Sequence, residues 1–203
     1  YVFTDMPTQH CAVAQSEIGV HLPSFAAGLR NAMRRKPALI VVGEMRDQET
    51  IRAANDAAIT GHPVYGTVHA NNSAVIIRRM VSQYDMHQQA QAFAEIAMNC
   101  RILMSQTLVK KVGGGRICLR DWVVIDPERA EALIEVGPNQ HVPLLQKWME
   151  SGDKGRSMKA SILQEIEKGS ITKETARLAL KRYGYDSDPD TNNSNVRGAA
   201  RGT

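Results

Sequence analysis

Leu39-Ile40-Val41-Val42-Gly43-Glu44 and, further along the chain, Val64-Tyr65-Gly66-Thr67-Val68-His69 decide the fold. Each is a short apolar, β-branched run. The first is bounded by Pro37 and Gly43, and the second is preceded by Gly61-His62-Pro63. Continuous apolar runs of this length predict strands buried on both faces, as in a parallel sheet. Before the first run, Phe25, Leu29 and Ala32 repeat at helical spacing behind Ser24, a suitable N-cap. Between the two runs, Asp47 is placed to cap a helix with Ile51, Ala54 and Ala58 on its apolar face. Helix, strand, helix, strand is the rhythm of an α/β fold.

The pattern continues outward. Ser73 is expected to open a helix carrying Ile77, Met80 and Val81 inward. A second helix, from His87 to Met104, sets Phe93, Ile96, Ala97 and Cys100 along one side. Residues 105–112 and 116–125, joined by Gly113-Gly114-Gly115, read as a β-hairpin. From Pro143 the chain becomes mainly helical, and Thr172 is placed to cap a last helix bearing Ala176, Ala179, Leu180 and Tyr183. Residues 186–203, rich in Asp, Asn, Ser and Gly, carry little to bury and read as a disordered tail. The expected division is therefore 1–125, 126–185 and the tail.

Composition bounds the function. The chain has 203 residues, a net charge of +4, 43% hydrophobic and 23% charged residues, which is ordinary for a globular domain. Arg34-Arg35-Lys36 is too short a basic cluster to argue nucleic-acid binding. At 5% aromatic residues, stacking platforms for single strands are not expected either. Cys11, Cys100 and Cys118 are an odd set without metal-like spacing, which suits a reducing compartment. No stretch approaches the roughly 20 apolar residues that span a bilayer. The chain opens on Tyr1 directly into structured-looking sequence, as expected of a domain fragment.

Two side chains stand where chemistry is expected. In doubly wound sheets, ligands bind beyond the carboxyl ends of the strands. Glu44 is delivered to that position by the first run, where a carboxylate either orients water beside Mg²⁺-bound phosphates or is a solvated acid at a strand end. His69 is delivered there by the second. Its imidazole either hydrogen-bonds a γ-phosphate oxygen or is a loop histidine bonded to backbone.

Gly43-Glu44-Met45-Arg46-Asp47-x-Glu49-Thr50-Ile51 resembles the Walker B segment of the type II and type IV secretion ATPase superfamily. Thr60-Gly61-His62-Pro63-Val64-Tyr65-Gly66-Thr67-Val68-His69-Ala70 is similar to its His box, and Ser105-Gln106-Thr107-Leu108 with the triglycine turn to its downstream segment. The stretch from Gln15 to Pro37 is most similar to the Dot/Icm-type and conjugative-transfer branch; pilus retraction motors are somewhat more distant. The resemblance implies the later part of a RecA-like P-loop NTPase domain, with a parallel sheet, followed by a C-terminal helical bundle. It implies ATP and Mg²⁺ as cofactors, a homohexamer, inner-membrane secretion or pilus partners, and a place at the cytoplasmic face of the membrane. Direct nucleic-acid binding is not expected.

By that resemblance Glu44 is the water-positioning glutamate, reaching Mg²⁺ through water, and His69 lies near the γ-phosphate. Gly43 stands where many other nucleotide hydrolases carry aspartate. Arg46 either supports the motif through a salt bridge or is structural. Arg30, Arg34 and Arg79 match family arginines that can act on a neighbouring subunit's nucleotide. The 203 residues contain no Gly-x-x-x-x-Gly-Lys-Ser/Thr, which the family places N-terminal to this region. A non-catalytic ring scaffold is the alternative from another class.

Overall fold

The structure is a computed structural model that describes residues 12–185; the expected tail, 186–203, lies outside the described residues. The chain forms two compact units. The first takes in residues up to Ala70, Ile76–Cys100 and Pro127–Asn139; the second takes in Asn71–Val75, Arg101–Asp126 and the chain from Gln140.

In the first unit, helix α1 (Phe25–Met33) begins where expected, with the Ser24 hydroxyl accepting from Ala27 N–H at 3.2 Å. Strand β1 (Ile40–Val42) follows, then α2 (Gln48–Ile59), whose N-cap Asp47 accepts from Thr50 N–H at 2.8 Å. Strand β2 (Val64–Gly66) lies parallel to β1, with Ile40 opposite Val64 and Val42 opposite Gly66. Ala26 and Leu29 of α1, Ile40 and Val42 of β1, and Ala53, Ala54 and Ala57 of α2 form one apolar cluster. The strands are shorter than the apolar runs suggest, and burial on both faces is not found. Successive strand side chains point to opposite faces. Val41 and Tyr65, paired across the sheet, are 64% and 65% exposed. Only the face of Ile40 and Val42 is covered, by α1 and α2, among the described residues.

Ser73 does open a helical segment, a 3-10 turn that passes into α3 (Ile76–Val81), with Ile77 and Val81 buried. Helix α4 (Gln89–Asn99) buries Phe93, Ile96 and Ala97 but stops short of Met104. Residues 102–104 instead pair with 122–124, so cross-strand hydrogen bonding overrides the helical spacing. Helix α5 (Pro127–Val136) completes this unit. It begins with proline at its first position, so the helical character resumes well before Pro143.

The second unit is built on an antiparallel hairpin, β3 (Ile102–Lys110) and β4 (Arg116–Val124). Gly113, Gly114 and Gly115 all take positive φ in its turn, a conformation costly for any residue with a Cβ. Helix α6 (His141–Ser151) leads to β5 (Gly155–Arg156), which adds to the free edge of β4. Helices α7 (Met158–Glu167) and α8 (Lys173–Arg182) are capped by Ser157 and Thr172. Leu119 of β4 packs with Met158 and Ile162 of α7 and Ala176, Ala179 and Leu180 of α8. Among the described residues, no helix is long and apolar enough to cross a membrane.

Candidate active site

Parallel pairing of β1 and β2 sends both chains out of the same sheet edge. Past the last paired residues, Val42 and Gly66, two further bonds keep them together. The Met45 N–H donates to the Thr67 carbonyl at 2.9 Å, and the Thr67 hydroxyl donates to the Gly43 carbonyl. Glu44 and His69 therefore emerge side by side, with His69 Nε2 3.4 Å from Glu44 Oε1. The glutamate side chain is 34% exposed and the histidine 90% exposed. Gly66 makes room for the end of the Met45 side chain: a Cβ there would lie 2.5 Å from the Met45 methyl carbon and 2.7 Å from its sulfur, so that flexible end would have to shift.

The sequence singles out both members of this pair, and the fold brings them together. Gly43 is engaged through its carbonyl, which accepts from the Thr67 hydroxyl. The arginines distribute differently. Arg30 of α1 pairs with Glu49 of α2 at 3.7 Å, with both side chains mostly exposed, so it braces two helices. Arg34 is exposed at the C-cap of α1. Arg46 makes its bond through its main chain. With the amide of Gln83 oriented by its neighbours, Nε2 donates to the Arg46 carbonyl at 2.9 Å and Oε1 accepts from Arg79 Nη1 at 3.2 Å. Gln83 thus links the Glu44 loop to α3 and to Arg79. A second amide pair, Gln48 Nε2 to Gln88 Oε1 at 2.8 Å, ties the start of α2 to the turn preceding α4. None of these three glutamines carries a signal in the sequence: each is one polar residue among many at helix boundaries and turns.

One carboxylate beside one imidazole, open to solvent at the end of a parallel sheet, can position a water and contact a terminal phosphate. The donor set fits a nucleotide whose metal is held mainly by phosphates and water. Among the described residues, no group of three or more His, Cys, Asp or Glu could form a metal cage.

Residues 6–115 match the family model described as "Type II/IV secretion system protein". The type IV pilus retraction ATPase PilT of Pseudomonas aeruginosa is 35% identical over 174 residues, which are 86% of this chain and 50% of that protein. The crystal structure of the ATPase DotB of Legionella pneumophila superposes with a TM-score of 0.77 at 40% identity, over 83% of this chain and 45% of that one. The pilus retraction motor PilT with bound ADP superposes with a TM-score of 0.71 at 32% identity, over 82% of this chain and 46% of that one. These likenesses establish the RecA-like α/β fold expected from the sequence. The chain spans about half the length of the relatives it matches.

Proposed function

The chain belongs to the type II/IV secretion system protein family, and on that premise we propose that it carries the Walker B and His-box side of the nucleotide site of a secretion motor ATPase. The observation that carries this reading is the meeting of Glu44 and His69 at 3.4 Å beyond two adjacent parallel strands. In this reading Glu44 orients the attacking water and reaches Mg²⁺ through the metal's water shell. His69 stands at the γ-phosphate and reports its presence. Bound Mg²⁺ supplies neutralisation of the charge that develops on the phosphate oxygens. Of the arginines, this reading favours Arg79, which bonds Gln83, over Arg30, which already faces Glu49.

The motor works as a homohexamer at the cytoplasmic face of the inner membrane and powers type IV secretion of the Dot/Icm or conjugative kind. The likeness to DotB at 40% identity supports that branch. The likeness to PilT, 35% identical over most of the chain, favours a second reading, pilus retraction. The phosphate-binding loop that ATP requires is not among these 203 residues and is supplied by another part of the site.

The test is steady-state ATP hydrolysis by the full-length gene product and its Glu44→Gln variant, with nucleotide binding measured alongside. Slow turnover by the wild type, abolished in a variant that still binds ATP, is the expected result. An assembled wild type without turnover leaves a ring scaffold as the better account.

A further inference from the structure

Between the end of β1 at Val42 and the start of α2 at Gln48, the chain carrying Glu44 is neither helix nor strand. Its path is set by individual hydrogen bonds. Before and after Glu44, the Gly43 carbonyl accepts from the Thr67 hydroxyl and the Met45 N–H donates to the Thr67 carbonyl. Further on, Asp47 caps α2. The Arg46 carbonyl lies between these fixed points, two residues past Glu44, and a side chain from just beyond α3 reaches it. Gln83 Nε2 donates to that carbonyl at 2.9 Å, while its Oε1 accepts from Arg79 Nη1 at 3.2 Å. The reverse orientation of the amide would set its oxygen against the carbonyl oxygen. Gln83 is half-buried and held by its own N–H, which donates to the Met80 carbonyl at 3.1 Å. The same turn meets the start of α2 a second time, where Gln48 Nε2 donates to Gln88 Oε1. All of these residues belong to the first unit.

A carbonyl needs a donor and a guanidinium needs an acceptor. One side chain that serves both at once needs an amide at its end. Glutamate could accept from Arg79 but would turn a second acceptor toward the Arg46 carbonyl, and methionine would serve neither. Packing alone makes no such demand at position 83. Arg79 is exposed, and a guanidinium held through one nitrogen keeps the remaining donors that a phosphate requires. We propose that Gln83 is a positioning residue for the nucleotide site: its amide fixes Arg79 to the loop of Glu44, so that the two are placed together. The proposal rests on the functional reading above. Gln83 touches no reacting atom; it acts through the Arg46 main chain on one side and the Arg79 guanidinium on the other.

The experiment measures ATP turnover by the full-length gene product and by its Gln83→Met, Gln83→Glu and Arg79→Ala variants, with the Arg79→Ala, Gln83→Met pair combined as a fourth. Gln83→Met keeps the length of the side chain and loses both bonds. It should lower kcat about tenfold or more while leaving KM for ATP within roughly threefold, as a displaced but intact site would. Gln83→Glu keeps the Arg79 bond alone, and its kcat should fall as well. The combined variant should lose clearly less than the product of the two single losses, because the two side chains act through one link. Losses that multiply would mean that Gln83 and Arg79 act independently, and would overturn the proposal. An active wild type whose Gln83→Met variant keeps its kcat overturns the link alone. A wild type without turnover defeats the functional reading instead. Should Gln83→Met fail to fold, Gln83→Glu decides: turnover at the wild-type rate means that the bond to Arg46 positions nothing.

Discussion

At the scale of single residues, the loop carrying Glu44 is bonded to the chain that follows β2, with Met45 N–H donating to the Thr67 carbonyl. Gly66 leaves room for the Met45 side chain beside Glu44. Gly66→Ala should push Met45 aside and slow ATP turnover, with thermal stability falling by no more than about 1–3 kcal/mol. Unchanged turnover would mean that Met45 moves without carrying Glu44. Asp121 gives a second test, by pH. Burial holds its carboxyl above the ordinary aspartate range, against the hydrogen bonds from Ser73 and Ser105 that pull it down. Between the ordinary value and the raised one, the folded chain keeps a proton that the unfolded chain has released. Stability contributed by this group therefore falls as pH climbs through that window. Urea unfolding across a pH series should show Asp121→Asn gaining on the wild type as pH rises. A constant difference between them would place the carboxyl at its ordinary range. Glu44 and His69 are both legible in the sequence because each directly follows a strand-like run. Asp121 is not, since one acid in an alternating strand reads as a solvent-facing residue.

At the scale of elements, local chemistry predicted starts better than ends. Ser24, Asp47 and Thr172 all cap the helices assigned to them, because an N-cap bond spans only three residues and needs no tertiary partner. Asp47→Ala should cost about 0.5–2 kcal/mol of unfolding free energy. Asp47 also closes the Glu44 loop, so turnover should fall beyond what the stability loss explains; a drop in stability with unchanged kcat would confine Asp47 to capping. The end of α4 was not legible. Helical spacing ran through Cys100 to Met104, yet pairing with 122–124 claimed residues 102–104. The strands β1 and β2 were legible as strands but not in their burial. Their sequence gives the same apolar run whether one face or both are covered by neighbouring elements.

At the scale of the whole molecule, the proposed reading gives these 203 residues one side of a nucleotide site. Without a phosphate-cradling loop, the isolated chain should hydrolyse ATP negligibly even at high protein concentration; measurable turnover that disappears in Glu44→Gln would refute this. The sequence by itself determined the α/β order, the hairpin, the starts of the helices capped by Ser24, Asp47 and Thr172, and the two candidate catalytic positions, all of which follow from short-range periodicity and capping. Only the tertiary structure decided what those positions face. Glu44 and His69 meet because parallel pairing of β1 with β2 aligns two distant segments at one sheet edge. Gln83 reaches Arg46 for a similar reason, as does Asp121 its serines. Hydrogen bonds between residues far apart in the chain leave no periodic mark on the sequence, so their partners become known only when the elements that carry them have packed.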